Sequence, residues 1–422
     1  MPLDRYDVII AGAGPAGIAT AVALSRHPLA RAARVLCLDR ARFPRAKPCG
    51  GGLTGHAQRA LADLGLEVRV PRVACHTGRI VYGALAAEVR LPRPVDIVRR
   101  EEFDADLVAQ ARARGIEIVE GEGVEDLTVP AAATATAIAT ATATGEVTVR
   151  TTRGRALRAR VLVGADGVGS RVRRALLSDQ PRAPHPLRLF KAEIPAPAGV
   201  DLGDRMIYDF SAMDAGLRGY VWMFPVSGGR LNVGAMHYPS RHLPGAEIDR
   251  LLRRTLARHG VVLPAPARGW PAWPYDERAR IAAPHLLCVG DAAGIDALTG
   301  EGIAVGLEQG IIAADTIASA LARGDFRFGG YAAAVRRGVV GRELTLDSWA
   351  AAALYPPSGF SLALSMVLFD AGVRELYAAR VSGSAVLADK KPALVSALAR
   401  HAVAATFRLR RLAHAERTRF RR

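Results

Sequence analysis

The segment YDVIIAGAGPAGIATAVAL, residues 6–24, decides the fold of this 422-residue chain. An apolar run extends from Asp7 to Ala11, a glycine-rich turn follows, and a second apolar run begins at Pro15. The first run has the length of a buried strand, and proline at the first position of the second run is typical of a helix start. The segment therefore predicts a strand, a tight glycine turn and a helix.

The spacing of the glycines predicts a site for a dinucleotide. Gly12, Gly14 and Gly17 form GxGxxG, which allows a tight turn, close approach of backbone to a pyrophosphate, and close packing of the helix on the strand. The helix N-terminus beside this turn favours a negatively charged group. The next apolar strand, in RVLCLDR at 34–40, ends at Asp39, where a carboxylate can accept hydrogen bonds from a ribose.

Two distant segments also place an acid at the end of an apolar strand. VLVGADGVGSRVRR, residues 161–174, contains Asp166 followed by Gly167. LLCVGDAAGIDALTGEGIAVGLEQG, residues 286–310, contains Asp291 in the same position. Either segment alone is compatible with an ordinary turn at a strand end. Together, and in this order after the glycine motif, they indicate a more elaborate site than that of a simple nicotinamide enzyme.

At these residues the sequence resembles flavoproteins of the para-hydroxybenzoate hydroxylase fold, over residues 5–310. The resemblance implies that the chain binds FAD and that Asp291 meets its ribityl chain. It implies that Gly302 and Ile303, at a helix N-terminus, approach the flavin pyrimidine, where negative charge on the reduced ring is stabilised. It also places Arg100 near the FAD phosphates; the alternative for Arg100 is a surface charge beside a helix.

The FAD-binding residues that the motifs and the resemblance imply are Gly12, Gly14, Pro15, Ala16, Gly17, Asp39, Arg40, Gly50, Gly51, Arg100, Val124, Asp166, Asp291, Gly302 and Ile303.

Within this fold the chain resembles the geranylgeranyl reductase branch. Two segments carry the resemblance: KPCGGG at 47–52, and GYVWMFP at 219–225, which fits the YxWxFP pattern of the branch. Tyr220, Trp222 and Phe224 alternate along a strand and therefore project to one face. The resemblance implies that this face lines a substrate cavity beside the flavin, although an aromatic strip is also typical of an ordinary core.

Cys49 is followed by three glycines, Gly50 to Gly52. Glycine lets backbone pass close to another molecule, and we expect that molecule to be the flavin ring, with Cys49 facing the reaction space. The alternative is that Cys49 is a small buried apolar residue, the usual state of a free cysteine. The residues predicted to act in catalysis are Cys49, Tyr220 and Trp222.

The resemblance implies an FAD-dependent reductase that saturates carbon–carbon double bonds of an isoprenoid or similarly apolar substrate. Reduced flavin would deliver hydride from N5 to one carbon while a proton reaches the other, with Cys49, or Tyr220 through water, as the nearest candidate donors. The chain has one GxGxxG, so we expect NADPH or a small reduced electron carrier to bind transiently as the electron source.

Two other classes of function fit parts of the sequence. An oxygen-using flavoprotein, either a monooxygenase acting on aromatic compounds or a halogenase, would share the fold. A halogenase normally has two tryptophans and an isoleucine before the proline of the aromatic strand, where this chain has Tyr220 and Phe224, and it needs a lysine between its two pockets. Lys47 and Lys191 are the only lysines before the C-terminal region. A non-catalytic or electron-carrying flavoprotein would leave no room beside the flavin.

The composition favours a folded cytoplasmic protein. Half of the residues are apolar, and the four cysteines lack the paired spacing of a zinc site or the density of a disulfide scaffold. We therefore expect a reducing compartment and no metal. The N-terminus lacks a charged region followed by a long apolar one, so a signal peptide is not predicted. A membrane-spanning helix needs about 18 consecutive apolar residues, and no run is that long, so a membrane anchor is not predicted either.

The formal net charge of +17 raises the question of an acidic partner. Only four of the 57 basic residues are lysine, a skew that genomic base composition also produces. The chain has no recognisable nucleic-acid module, so nucleic acid is not a predicted partner. The segment RLRRLAHAERTRFRR at 408–422, with seven arginines and one glutamate, predicts a basic helix that rests on protein or on the inner face of a membrane.

The predicted fold is α/β with α+β elements: a Rossmann-like FAD-binding domain, an antiparallel-sheet substrate domain and a C-terminal helical region. A hairpin turn is predicted at 227–229, and a helical pattern from Ala304 onward. The alternation in VPAAATATAIATATAT at 129–144 predicts a strand of an antiparallel meander. The expected ranges are 1–70, 98–185 and 280–330 for the first domain, 71–97 and 186–279 for the second, and 331–422 for the helical region.

Overall fold

The computed structural model describes residues 4–130, 145–178, 186–238 and 242–401. Most of the strand predicted at 129–144 and all of the basic segment at 408–422 lie outside these residues. The strands are β1 (Asp4–Ala11), β2 (Val35–Asp39), β3 (Gly52–Leu53), β4 (Arg72–Tyr82), β5 (Leu85–Val98), β6 (Glu117–Glu120), β7 (Val124–Thr128), β8 (Val147–Thr151), β9 (Ala156–Gly164), β10 (Leu187–Pro195), β11 (Arg205–Asp209), β12 (Val221–Val226), β13 (Arg230–His237), β14 (Arg268–Ala272), β15 (Ala282–Ala283) and β16 (Leu286–Cys288).

The α-helices of the same residues are α1 (Pro15–Arg26), α2 (Gly55–Asp63), α3 (Arg100–Arg112), α4 (Arg171–Leu176), α5 (Gly245–Ala257), α6 (Ile303–Arg323), α7 (Tyr331–Arg337), α8 (Val339–Leu354), α9 (Pro357–Phe369) and α10 (Ala371–Val381).

The first sheet is built around β1, the strand that the glycine segment predicts. β1 pairs in parallel with β2 on one side and with β9 on the other, and β16 pairs in parallel with β9. Parallel strands end at the same edge of a sheet, so Asp39, Asp166 and Asp291 come to one edge at the ends of β2, β9 and β16. Open α/β sheets bind their ligands at this edge.

The predicted antiparallel meander extends the first sheet. β7 pairs with β8 and β8 pairs with β9, in both cases antiparallel. β6 is added in parallel beside β2, and β15 pairs antiparallel with β16. The sheet therefore mixes both strand directions, in agreement with the predicted fold class.

Close packing of α1 on the glycine turn explains the third glycine of the motif. A Cβ atom on Gly17 would lie 1.9 Å from the carbonyl oxygen of Gly12, far inside contact distance. Any other residue at this position would push α1 away from the turn. α1 also packs against α6, which comes from much later in the chain.

The second sheet has the strand order β14-β10-β13-β12-β11-β4-β5-β3 and is antiparallel except where β11 pairs with β4. The predicted hairpin is formed by β12 and β13. Side chains alternate along β12: Val221 and Met223 pack in an apolar cluster with residues of α5, whereas Trp222 and Phe224 belong to a second cluster on the other face.

Two details differ from the sequence-based expectation. Gly52 and Leu53 fall in the range expected for the first domain, yet they form β3 and pair with β5 in the second sheet. The structure thereby ties the glycine loop at 47–52 to the second sheet. The segment REEFDADLVAQARARG at 100–115 predicts a helix that stops at Gly115, whereas α3 ends at Arg112, because the chain turns there and Gly115 adopts a φ of 79°.

The C-terminal helices cover the aromatic face of the second sheet. Ala351 and Tyr355 of the α8 region and Ala378 of α10 join the apolar cluster that contains Trp222 and Phe224. The described chain is mainly helical from α6 onward, as the sequence predicts.

One described helix, α6, is long and apolar enough to cross a membrane by length and composition alone. α8 and α9 together pass the same test only as a pair bent by 116°. However, 67% of the apolar window of α6 is buried inside the protein. The apolar character of α6 is therefore explained by its packing in the core beside the first sheet.

Candidate active site

A cavity of about 580 Å³ lies at the edge where β1, β2, β9 and β16 end, and it reaches the aromatic face of the second sheet. Gly17, among the residues that the sequence singles out, is not part of its lining, because Gly17 packs under the turn instead. The predicted residues that line the cavity are Gly12, Gly14, Pro15, Ala16, Asp39, Arg40, Cys49, Gly50, Gly51, Arg100, Val124, Asp166, Tyr220, Trp222, Asp291, Gly302 and Ile303.

The carboxylate of Asp39 holds the glycine turn in place. Its oxygens accept hydrogen bonds from the backbone N–H of Ala13 at 2.9 Å and of Ala41 at 2.8 Å. Asp39 is buried but still lines the cavity. A carboxylate can accept about four hydrogen bonds, so two backbone donors leave capacity for a ribose hydroxyl.

Asp166 supplies a direct test of whether a dinucleotide fits. Its buried oxygen Oδ1 has no hydrogen-bond partner among the described residues, while Oδ2 accepts from the backbone N–H of Arg171 at 2.9 Å. Burial raises the pKa of this carboxyl group. Buried polar atoms are normally paired, so an orphan oxygen in the wall of a cavity calls for a donor from a ligand. Together with the glycine turn and the N-terminus of α1, these residues fit FAD.

Asp291 is paired with a lysine that the sequence did not single out for this role. The Nζ atom of Lys47 lies 2.8 Å from Oδ2 of Asp291, and both side chains line the cavity. Burial alone would raise the pKa of Asp291, but the charge and hydrogen bond of Lys47 outweigh it and hold this pKa below its ordinary value. Asp291 is therefore a fixed anion.

Arg100 is buried, and it is not the surface charge that was its alternative. Its guanidinium group forms a bidentate pair with Asp104, at 2.8 and 2.9 Å. Burial alone would lower the pKa of Arg100, but Asp104 and the neighbouring Cys49 sulfur raise it above its ordinary value. Arg100 thus remains a cation in the cavity wall.

Asn232 connects the glycine loop to the aromatic strand. Its side-chain amide donates to the carbonyl oxygens of Cys49 at 2.8 Å and Gly50 at 3.1 Å, and its oxygen accepts from the indole N–H of Trp222 at 3.0 Å. Asn232 is buried on β13. This single residue connects two segments that the sequence predicts to meet. Only its position just after the predicted hairpin turn at 227–229 could have pointed to it.

The glycines after Cys49 are required by the protein itself. A Cβ atom on Gly50 would lie 2.8 Å from the ring of Phe224. Gly51 has a φ of 81°, and a Cβ there would lie 2.1 Å from the carbonyl oxygen of Val98. Both residues also line the cavity. The expectation that the glycines pass beside a flavin ring stays a prediction, and close packing on the second sheet is a sufficient reason for them.

We expect Gly50→Ala to destabilise the fold by about 1–3 kcal/mol, because the added methyl group collides with the Phe224 ring. Phe224→Leu removes that ring, so the double variant should lose less stability than the sum of the single variants. Urea unfolding of both single variants and the double variant measures this coupling. Strictly additive losses would show that the contact does not exist.

The aromatic residues of the hairpin form one wall of the cavity. Tyr220, Trp222 and Phe224 are buried. The ring centroid of Tyr208 lies 5.5 Å from that of Tyr220 and 5.3 Å from that of Phe224. These residues are at once part of an apolar cluster and part of the cavity lining. The hydroxyl of Tyr220 donates to the carbonyl oxygen of Thr299, and burial raises its pKa well above the ordinary value.

Several lining residues had no motif to identify them. Tyr377 and Arg380 come from α10, in the helical region where the sequence offers no functional signal. Glu301 lies in the quoted segment 286–310, but the glycine and strand-end patterns of that segment give it no role. Thr54, which caps α2, donates to the carboxyl group of Glu301. The cavity thus has a polar end that the sequence analysis missed.

Comparison with known proteins gives consistent matches over most of the chain. A model of the FAD binding domain matches residues 5–194. A menaquinone reductase from Mycolicibacterium smegmatis is 30% identical over 341 residues, covering 75% of this chain and 77% of that protein. A digeranylgeranylglycerophospholipid reductase from Methanopyrus kandleri is 27% identical over 331 residues, covering 76% of this chain and 79% of that protein.

A solved structure shares the whole architecture. The crystal structure of a geranylgeranyl bacteriochlorophyll reductase-like protein from Thermoplasma acidophilum superimposes with a TM-score of 0.75, over 97% of this chain and 100% of that chain. Its sequence is 20% identical, so this match speaks to the fold alone. With the FAD binding domain and the extended similarity to named reductases, the chain belongs to the geranylgeranyl reductase family of FAD-dependent oxidoreductases.

Proposed function

We propose that the protein reduces carbon–carbon double bonds in an isoprenoid or similarly apolar substrate. The observation that carries the proposal is the continuity of the cavity: the polar cradle around Asp39, Asp166 and Asp291 leads directly to a wall of Tyr220 and Trp222. A flat apolar wall suits a polyprenyl chain, because apolar contact rather than hydrogen bonding is what such a chain offers. The names of the two reductases compared above support the same substrate class.

The residues of the chain would divide the work as follows. Asp39, Asp166 and Asp291 would bind the hydroxyl groups of FAD, and Arg100 would balance its phosphate charge. When bound, reduced FAD supplies the hydride and its electron pair. The N-terminus of α6, at Ile303, would stabilise negative charge nearby. The aromatic wall would exclude water and hold the alkene in place.

The electron donor is part of the proposal. NADPH or a small reduced electron carrier would reduce the flavin before the substrate arrives. Anaerobic stopped-flow mixing of the FAD-loaded protein with NADPH measures flavin bleaching directly. Rapid bleaching supports NADPH, and its absence, with rapid bleaching by a reduced ferredoxin-type carrier, supports the second donor.

The substrate class is tested by oxidation of the reduced protein. The FAD-loaded protein is reduced with dithionite under anaerobic conditions and mixed with a digeranylgeranylglycerophospholipid, which offers double bonds but no quinone ring. Return of the oxidised flavin spectrum, with a product heavier by one hydrogen molecule per double bond in mass spectrometry, supports the proposal. The fully saturated lipid serves as the control. Oxygen or halide incorporated under air, without any anaerobic reaction, would instead establish the monooxygenase or halogenase alternative.

We also propose that the protein works in the cytoplasm and contacts the inner membrane surface through the basic segment at 408–422. The support is the sequence of that segment, with seven arginines and one glutamate. Removing residues after 408 should weaken binding to anionic vesicles while reduction of a detergent-dispersed substrate continues. Equal vesicle binding by both forms would remove the segment from this role.

A further inference from the structure

Four carboxyl groups surround one arginine at the polar end of the cavity. We term this group the carboxyl cluster: Asp296, Glu301, Glu343 and Asp347 around Arg380. The Nε atom of Arg380 lies 3.1 Å from Glu343, and one of its terminal nitrogens bonds Asp347 and lies 4.0 Å from Asp296. All except Glu301 are at most 4% exposed. The cluster is therefore shielded from water.

The cluster holds more acid than base. Carboxylates this close to one another cannot all be ionised when one guanidinium group is their shared partner. Burial raises the pKa of Asp347 well above its ordinary value, and it also raises the pKa of Glu301 and of Glu343, in each case against the opposing charge of Arg380. The oxygen Oδ1 of Asp347 has no partner among the described residues. The cluster thus retains protons that isolated carboxyl groups would release.

Glu301 is the acid of the cluster that faces the cavity. It lines the cavity with Arg380, and the hydroxyl of Thr54 donates to its Oε1. Thr54 follows the glycine loop directly and caps α2, so the loop at 47–52 and Glu301 share one wall. Its second oxygen, Oε2, has no hydrogen-bond partner among the described residues. One oxygen is therefore anchored while the other is available.

Glu301 is also close to the aromatic wall. It lies within electrostatic reach of Tyr208, whose ring contacts those of Tyr220 and Phe224. An acid in this position stands beside the space that we assign to the apolar substrate. No other member of the cluster except Arg380 lines the described cavity.

The two donors suggested by the sequence are occupied in other ways. The hydroxyl of Tyr220 donates to the carbonyl oxygen of Thr299. The sulfur of Cys49 accepts from the backbone N–H of Gly51 at 3.4 Å and is approached by the guanidinium group of Arg100. Donors on two sides favour the sulfur as an acceptor. Both groups are therefore engaged in contacts within the protein.

We propose that Glu301 is the proton donor for double-bond reduction, an inference that rests on the function proposed above. The π bond breaks as one carbon receives a hydride with its electron pair from reduced FAD and the other carbon receives the carboxyl proton of Glu301. Glu301 is left as a carboxylate beside Arg380 and is reprotonated by water that enters the cavity after the product leaves; the surrounding buried acids favour its protonated form. One hydride and one proton account for the two hydrogens added.

This role has a defined pH dependence. The protonated form is the active one, and the raised pKa keeps it populated at a higher pH than for an ordinary glutamate. Substrate reduction is therefore retained at low pH and is lost as the pH rises through this pKa. The titratable or charged groups that face Glu301 are Asp296 in the preceding loop, Tyr208 on β11, Glu343 and Asp347 on α8, and Arg380 on α10.

The first test is Glu301→Gln, which keeps the shape and removes the acid. We expect oxidation of the dithionite-reduced, FAD-loaded protein by digeranylgeranylglycerophospholipid to slow on the order of a hundredfold and to lose its pH dependence. Glu301→Asp should restore part of the rate together with the pH dependence. The matched control is Glu308→Gln. Glu308 lies on α6, which begins just after Glu301; it accepts a hydrogen bond from the backbone N–H of Val340 at 2.9 Å and does not line the cavity. The Glu308→Gln variant should keep the wild-type rate and the wild-type pH dependence.

The second test does not depend on turnover. Infrared difference spectra of the protein without substrate, taken across a pH titration, report the carbonyl stretch of protonated carboxyl groups. We expect one component of this band to disappear in Glu301→Gln and to persist in Glu308→Gln. Correct folding of each variant is checked by circular dichroism.

The outcomes separate the two proposals. If the wild type is oxidised by the lipid and Glu301→Gln matches it in rate and pH profile, Glu301 is not the donor and the proposed function stands. An unchanged infrared band in Glu301→Gln would equally exclude Glu301. If the lipid does not oxidise the wild type at all, the proposed function fails and the Glu301 assignment falls with it.

Discussion

Replacing Arg380 with glutamine is expected to destabilise the folded protein by about 3–5 kcal/mol, because it removes the cation from a group of buried acids. Arg380 is 4% exposed and pairs with Glu343 and Asp347, which are 3% and 1% exposed. Glutamine cannot neutralise these carboxylates. Urea unfolding of wild type and variant at neutral pH measures the difference.

The Arg380→Gln effect should shrink in acid. The pKa values of Glu343 and Asp347 are higher in the folded protein than in the unfolded chain. As the pH rises from the unfolded pKa through the folded pKa, these two carboxyl groups therefore lower the stability of the fold. Below the unfolded pKa they are neutral in both states. Arg400→Gln is the matched control, since its pair with Asp370 is exposed and worth at most about 1 kcal/mol. If Arg380→Gln lost no more stability than Arg400→Gln, the proposed burial of the cluster would be contradicted. A loss of stability for Arg380→Gln that did not change with pH would contradict it as well.

Asp291→Asn is expected to weaken FAD binding about 10- to 100-fold. Asp291 is a fixed anion in the cavity wall, and hydrogen bonds to charged groups contribute about 1.5–3 kcal/mol. Asparagine keeps the size but loses the charge, and it leaves Lys47 without its partner at 2.8 Å. Quenching of flavin fluorescence on titration of the protein into FAD gives the dissociation constant.

Asp325→Asn provides the comparison for Asp291→Asn. The side chain of Asp325 is 42% exposed, pairs with Arg327 nearby in the chain, and does not line the cavity. FAD affinity should be unchanged in this variant. If Asp291→Asn binds FAD as tightly as Asp325→Asn, then Asp291 does not hold the cofactor, whatever the resemblance implies.

The sequence predicted those parts of the site that depend on backbone geometry. Gly12, Gly14 and Asp39 follow from a turn and a strand end, and local spacing is enough to specify both. Asp166 and Asp291 could be placed at the same edge because parallel strands impose it. These features are short-range patterns along the chain. Their positions in the folded protein follow from local backbone geometry and strand pairing.

The polar end of the cavity could not be predicted in the same way. Arg380 is one arginine among many in a region without motifs, and it acquires its place only because α10 packs beside α8 and the second sheet. Asn232 matters because of a contact with Cys49 across 183 positions of the chain. Glu301 lies in a segment that the sequence analysis recognises. Its raised pKa, however, depends on burial and on acids such as Glu343 that only the packing of the fold brings near.

The pairing of β1 with β9, and of β9 with β16, has a consequence for biosynthesis. β1 and α1 leave the ribosome well before β9, β16 and the covering helix α6. At about 5–20 residues per second this delay is on the order of tens of seconds. During that time a newly made apolar strand has an unpaired edge, which invites association with other nascent chains. Yield in a cell therefore depends on chaperone supply as well as on the stability of the finished protein.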